Sequence, residues 1–242
     1  MFEIQLQIAN SDSKNGWVEI MAKAIVSFSG GMDSTTVIAA ALDASMEVEL
    51  VFFSYGSKHN PYEKEAAYYV AKHYGLPITV LSLETLMEGF ESNLMKTGGP
   101  IPDGHYKQKN MKQTIVPGRN IIFASVLTGV AWNLKAEEVW MGIHSGDGEI
   151  YPDCRPEFFY SMRRAIECGT DGNVSLSAPF LMGTKTTIIK WGIEHSVPYH
   201  LTRTCYKDQD IACGKCGACI ARLEAFQRNE LEDPIEYKSR SL

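Results

Sequence analysis

The stretch Ser29-Gly30-Gly31-Met32-Asp33-Ser34-Thr35 decides how the rest of this 242-residue chain reads. Before it, Ala24-Ile25-Val26-Ser27-Phe28 is a short apolar run of the kind that forms a buried strand. After it, Thr36-Val37-Ile38-Ala39-Ala40-Ala41-Leu42 reads as a helix entered through hydroxyl-bearing residues. Strand, Gly-Gly turn and helix start in succession make an anion cradle. The glycines let backbone N–H groups come close to an oxyanion, and the hydroxyls of Ser29, Ser34 and Thr35 add donors. The helix N-terminus contributes roughly half a positive charge. The lysine of a G-x-x-x-x-G-K-[ST] nucleotide loop is missing, so this is a different loop. A carboxylate, Asp33, stands there instead, and it repels bare phosphate unless a metal ion or a hydrogen bond engages it.

Working outward, residues 48–53 read as a second strand and Ile78-Thr79-Val80-Leu81 as a third. Between them, residues 61–74 read as a helix with Tyr62, Ala66, Tyr69, Val70 and His73 on one face. A strongly apolar helix over 121–134 precedes a fourth strand, Val139-Trp140-Met141-Gly142-Ile143. This alternation predicts an α/β fold, a doubly wound, mostly parallel sheet covered by helices on both faces. Ligands of such sheets sit at the carboxyl ends of the strands, which places Ser29, Ser54-Tyr55-Gly56 and His144-Ser145-Gly146-Asp147 along one rim. The expected organisation is an N-terminal extension over 1–22, with a hairpin pattern in 2–8 and 17–20, then an α/β domain over 23–200. A cysteine knuckle and helix follow over 201–228, and 229–242 is expected to be a polar, frayed tail.

The net charge of −6 and the lack of a basic run argue against capture of long nucleic acid. No stretch approaches the roughly 18 consecutive apolar residues of a membrane helix, and no leader pattern is visible at the start. Six cysteines, four of them clustered near the end, point to metal binding in a reducing compartment, so a cytoplasmic protein is expected.

Residues 88–114, rich in Gly, Pro, Asn and Lys, form either a lid whose Lys107, Lys109 and Lys112 meet phosphate or a solvated loop. In Val116-Pro117-Gly118-Arg119-Asn120, Asn120 suits an N-cap. Arg119 adds charge to a helix end that is already positive, and an anion beside it removes the conflict. Lys185 has the same mismatch at the start of a helix running to His195, and reads as either an anion ligand or an exposed lysine. Asp153 and Arg155 either pair with each other or recognise a planar heterocycle, since a carboxylate accepts from an N–H and amino pair. Pro156 and Glu157 suit the first turn of a helix, Cys154 reads as packing, and His144 as a structural histidine. Cys205, Cys213, Cys216 and Cys219 have the spacing C-x7-C-x2-C-x2-C, which suits a closed tetrahedral Zn²⁺ site with a structural role. An iron–sulfur cluster is the competitor, but no C-x3-C-P continuation follows.

These motifs carry a resemblance. S-G-G-x-D-S-[TS] resembles the signature of the ATP pyrophosphatase superfamily, whose members bind the pyrophosphate released when ATP adenylates an oxygen. Together with V-P-G-R-N, Y-P-D-C-R-x-E-F and T-C-Y ahead of the knuckle, it resembles the 7-cyano-7-deazaguanine synthases over Lys23 to about Phe226. The chain departs from that pattern at Glu149-Ile150, where many relatives carry Ser-Gly. The resemblance implies a ligase that adenylates 7-carboxy-7-deazaguanine with ATP and Mg²⁺ and converts it with ammonia to the nitrile. It implies a nucleotide site over Phe28, Ser29, Gly30, Gly31, Met32, Asp33, Ser34, Thr35, Thr36, Val37 and Ile38, with adenine near Ser54 and Tyr55. Ser29, Asp33, Arg119 and Lys185 are the expected catalytic groups; Arg119, Asn120, Asp153 and Arg155 are the expected substrate contacts. Structural zinc on the four cysteines, small-molecule substrates without nucleic acid or membrane, and a homodimer are implied as well. The rivals are a tRNA thiolase, which needs a basic surface and a redox-active cysteine pair, and a nucleotide sensor that has lost turnover.

Overall fold

The computed structural model describes residues 21–106 and 108–240. The strands are β1 (Lys23–Ser27), β2 (Glu47–Ser54), β3 (Ile78–Ser82), β4 (Glu138–Trp140) and β5 (Ser175–Ser177). The helices are α1 (Met32–Asp43), α2 (Asn60–Tyr74), α3 (Arg119–Asn133), α4 (Pro156–Gly169), α5 (Lys185–Glu194) and α6 (Gly217–Gln227). All the strand pairs are parallel, in the order β3-β2-β1-β4-β5, so the doubly wound sheet is present as expected. β1 is central, and Ala24, Ile25 and Val26 are fully buried, which is why its sequence is apolar without alternation. On one face α1 and α2 pack Val37, Ile38, Ala67 and Val70 against Ala24, Val26, Leu50 and Phe52. On the other, α3 and α4 pack Ala124, Leu127, Phe159 and Ile166 against Ile25, Val51, Val139 and Leu176. α5 and α6 pack on α1 through Met32, Ile189 and Phe226. The strand order reverses between β1 and β4, and a crevice opens at their carboxyl ends.

Several boundaries shift. α1 begins at Met32, so Asp33 lies in the first helical turn, where its charge suits the dipole. β4 ends at Trp140, and β5, three residues long, is too short to be recognised from its pattern. On α2 the buried apolar residues are Ala66, Ala67, Val70 and Ala71, whereas Tyr69 is 54% exposed. The close approach of α2 to the sheet favours small side chains there over the tyrosine. Asn120 is not the N-cap of α3: Gly118 is, with φ of 63°, and Asp153 accepts from the Asn120 backbone N–H at 3.0 Å.

The 88–114 segment is packed down rather than free. Leu94 and Met111 are buried, and Lys58 Nζ donates to the carbonyls of Asn93, Gly98 and Gly99. Asp103 bridges to Cys216, and Gly104 N–H donates to the Lys215 carbonyl. Lys109 and Lys112 are exposed, and Lys107 lies outside the described residues. Residues 109–133 would pass for a membrane span by length and hydropathy. However, a 3-10 turn ends at Thr114, and α3 alone is about 22 Å long and packs on β1, β4 and α4. The expected fraying after 229 does not apply up to residue 240: Asp233 is buried in a bidentate pair with Arg222, and Tyr237 donates to it at 2.6 Å. The hairpin pattern of 1–20 lies outside the described residues.

Candidate functional site

The crevice at the carboxyl ends of β1, β2 and β4 is a cavity of about 190 Å³. Phe28, Ser29, Gly31, Met32, Asp33 and Ser34 form its floor. Gly30 shapes the turn from behind: its φ is +77°, and a Cβ there would lie 2.4 Å from the Glu63 carbonyl oxygen. The hydroxyls bond locally. Ser29 Oγ lies 3.2 Å from Ser34 Oγ and accepts from the Gly31 N–H, and Thr35 Oγ1 donates to the Gly31 carbonyl at 2.8 Å. Thr35 and Thr36 are fully buried, and Thr36 Oγ1 bonds the Met32 carbonyl and the Tyr199 hydroxyl. Of the nucleotide residues expected from sequence, Gly30, Thr35, Thr36, Val37 and Ile38 support the floor without lining it.

Lys185 enters as the first residue of α5, whose capping box is formed by Thr184 and Thr187. Its Nζ lies 2.9 Å from Asp33 Oδ2, 3.2 Å from Asp147 Oδ2 and 3.1 Å from His144 Nε2. The anion that a lysine at a helix start calls for is therefore met by two carboxylates of the chain itself. Burial pushes the Asp33 carboxyl up, but Lys185 and His144 outweigh it and hold the group well below the usual carboxylate range. Burial lowers Lys185, and Asp147 and Asp33 more than compensate, so the ammonium is held firmly. His144, read from sequence as structural, is 1% exposed and belongs to this cluster. Asp33 Oδ1 is buried without a hydrogen-bond partner, which leaves one carboxylate oxygen for a cation. That donor suits Mg²⁺, which commonly takes one or two carboxylates beside substrate phosphates.

Tyr55, His59, Glu63, Arg119, Arg203 and Tyr206 also line the cavity. Arg119 Nη1 lies 3.5 Å from the Tyr55 hydroxyl, and among the described residues no carboxylate stands within ion-pair distance of its guanidinium. Arg203, by contrast, donates to the carbonyls of Lys207, Gln209 and Asp210 and stacks on Tyr62. Glu63 Oε2 lies 3.5 Å from His59 Nε2. Burial, only partly opposed by Arg119 and Arg203, raises the Glu63 carboxyl to about 8. Burial and the same two arginines lower His59 to about 3, so its ring is neutral.

The expected substrate contacts divide. Arg119 and Asn120 line the cavity; Asp153 and Arg155 do not. Asp153 caps α3, and Arg155 donates to the Gly148 carbonyl at 2.8 Å. The two do not pair with each other. Cys154, read from sequence as packing, is buried beside Asn120 with its thiol pushed up by burial, and it also lines the cavity. Tyr55 lines the cavity, whereas Ser54 bonds Glu84 outside it. Sequence reasoning passed over His59, Glu63, Arg203 and Tyr206. Glu63 sits in the first turn of α2, where an acid is favoured by the helix dipole and so attracts no notice.

Cys205, Cys213, Cys216 and Cys219 are buried, with their sulfurs within 4.8 Å of one another. Cys213 Sγ and Cys219 Sγ stand 3.8 Å apart, close to the edge of about 3.8 Å expected for a tetrahedron with 2.3 Å metal–sulfur bonds. Backbone N–H groups of Lys215 and Cys216 donate to Cys213 Sγ, as they do to thiolates. The group can hold a metal ion, and the chain around it supplies Arg203, Thr204, Tyr206 and Ala218 to the cavity wall.

Comparison with known proteins finds relatives over most of the chain. The 7-cyano-7-deazaguanine synthase 2 of Colwellia psychrerythraea is 43% identical over 220 residues, covering 90% of this chain and 99% of that protein. The 7-cyano-7-deazaguanine synthases of Pseudoalteromonas atlantica and Caldicellulosiruptor saccharolyticus are each 40% identical; they cover 90% and 89% of this chain and 100% and 96% of their own lengths. The family model described as queuosine biosynthesis protein QueC matches residues 23–230, from the first strand to just past α6, and the chain belongs to that family.

Proposed function

We propose that this chain is an ATP-dependent ligase that converts 7-carboxy-7-deazaguanine and ammonia to 7-cyano-7-deazaguanine, in the cytoplasm and, by resemblance, as a homodimer. The observation that carries this reading is one cavity holding both a glycine anion cradle with Lys185 beside it and the unpaired Arg119 facing it. A carboxylate is inert to ammonia until one oxygen becomes a leaving group. Attack of that oxygen on the α-phosphorus of ATP gives an acyl-adenylate and pyrophosphate; ammonia then gives the amide, and a second activation at the amide oxygen gives the nitrile. In this reading, Ser29, Gly31 and Ser34 hold the departing pyrophosphate through N–H and hydroxyl donors, and Lys185 supplies positive charge where negative charge builds up. Arg119 orients the substrate carboxylate or the α-phosphate through its planar fork of donors. Asp33 would hold Mg²⁺ through its unpartnered Oδ1, and the ion would offset the charge of the triphosphate. Cys205, Cys213, Cys216 and Cys219 would hold Zn²⁺ in a structural role, since four thiolates leave no open position for a reactant.

The test is direct. Incubation with ATP, ammonium and 7-carboxy-7-deazaguanine, followed by mass spectrometry, is expected to give the nitrile with release of AMP and pyrophosphate. Ser29→Ala and Asp33→Ala are expected to abolish AMP formation with fold and metal content intact. Full activity in both variants refutes the assignment of the cradle.

A further inference from the structure

Amide formation needs a neutral nitrogen lone pair, yet at neutral pH ammonia exists almost wholly as ammonium. Some group has to seat a small cation beside the acyl carbon and remove one proton. Three carboxylates line the cavity: Asp33, Asp147 and Glu63. Asp33 and Asp147 are both held by Lys185. Glu63 has no lysine or arginine within 4.0 Å among the described residues, and its one close partner is His59 at 3.5 Å. We propose that Glu63 is the ammonium site of this reaction: its carboxylate seats the ion and takes the proton that leaves before nitrogen attacks the activated carboxyl carbon. The inference rests on the proposed function.

Position supports it. The Glu63 backbone carbonyl presses against Gly30, so the side chain opens beside the cradle where the adenylate forms. The surroundings suit a cation with four N–H bonds. His59 is 1% exposed and neutral, its Nδ1 has no partner, and its Nε2 faces the Glu63 carboxylate and lies 3.4 Å from the Tyr55 hydroxyl. As the Nδ1–H tautomer it turns a lone pair toward Glu63, and a shared donor satisfies both groups. The Tyr206 ring, 5.2 Å from the His59 ring, adds an aromatic wall.

The charges facing Glu63 are Arg119 from α3 and Arg203 from the chain after α5, with neutral His59 on the approach to α2. Arg203 is committed to backbone carbonyls, and Arg119 is free to bind an anion. Once substrate carboxylate or phosphate occupies Arg119, the charge of Glu63 is left for the cation. The carboxyl's rise to about 8 places it where a base is both present and able to accept protons near neutral pH. In the step itself a proton passes from ammonium to the Glu63 carboxylate, and the freed lone pair forms the C–N bond. The C–O bond to the adenylyl group breaks, AMP leaves with that electron pair, and the nitrogen sheds a second proton to water.

Two half-reactions separate this role from others. In Glu63→Gln, pyrophosphate–ATP exchange dependent on 7-carboxy-7-deazaguanine is expected to persist within a few-fold, while kcat/KM for ammonium at pH 7 falls about 100-fold, in the range for loss of a general base. Between pH 7 and 9 the variant's rate is expected to climb about tenfold per pH unit with the free-ammonia fraction, while the wild type levels off above about pH 8. Glu63→Asp, which keeps a carboxylate, is expected to retain saturation by ammonium, and guards against misfolding of the first variant. An unchanged ammonium dependence in Glu63→Gln overturns the proposal. Loss of substrate-dependent exchange in a folded variant also overturns it, by assigning Glu63 to the amino edge of the deazaguanine. Absence of that exchange in the wild type refutes the proposed function instead.

Discussion

The Arg222–Asp233 pair gives the sharpest test of how the end of the chain is held. Arg222 is fully buried, and all five of its N–H donors are used: Nε and Nη2 to Asp233, Nη1 to the hydroxyls of Thr202 and Thr204, and Nη2 to the Tyr199 carbonyl. At the 2.7 and 2.9 Å separations of the bidentate pair, an effective dielectric near 20 gives a gross attraction of about 6 kcal/mol, much of it offset by desolvation. Asp233→Ala removes the anion and leaves a buried guanidinium with two unmet donors, which costs about 3–5 kcal/mol. For a chain of this size that lowers Tm by roughly 6–20 °C. The assay is urea and thermal unfolding by circular dichroism, with metal content measured in parallel. Thr202 and Thr204 flank Arg203, and Cys205 follows, so the variant is also expected to weaken ATP binding. Arg222→Met with Asp233→Leu removes both charges and is expected to cost far less than the single change. A loss below about 1 kcal/mol in Asp233→Ala refutes the reasoning, because an uncompensated buried charge cannot be that cheap.

Lys185→Met leaves Asp33 and Asp147 facing each other without their shared cation, and pyrophosphate exchange is expected to fall at least about 100-fold; near-normal exchange refutes a role for the lysine. Gly30→Ala forces a left-handed backbone and a Cβ 2.4 Å from the Glu63 carbonyl and 2.7 Å from the Ala67 nitrogen. It is expected to cost about 2 kcal/mol or more and to abolish AMP formation; an unchanged Tm contradicts the geometry. Cys216→Ser, or chelation of the wild type, is expected to remove bound metal, lower Tm and raise KM for ATP together, since the same segment walls the cavity. Metal retained at about one equivalent in the variant shows that the ligands are assigned wrongly.

What could be read from the sequence is what the chain specifies over short distances. The cradle over 29–35 and the C-x2-C-x2-C knuckle each place their groups within one turn, so spacing alone reveals them. The parallel sheet follows from the alternation of apolar runs. Asp153 is the opposite case: beside Arg155 it looks like a recognition group, but its oxygen caps a helix starting 34 residues earlier. Glu63 was hidden by a local explanation that was already sufficient, its place in the first turn of α2, and its nearness to the cradle shows only when α2 is set against the Gly30 turn. Asp233 sits in a polar stretch, and nothing nearby in sequence shows that Arg222 reaches it.

The cavity wall has a consequence for timing. A growing polypeptide that has left the ribosome only as far as α5 already carries the cradle and Lys185, but still lacks Arg203, Tyr206 and Ala218. Those groups lie on the segment that carries the four clustered cysteines. Under the proposed function, nucleotide turnover needs that segment, so a chain cut after Glu194 is expected to leave ATP unconsumed.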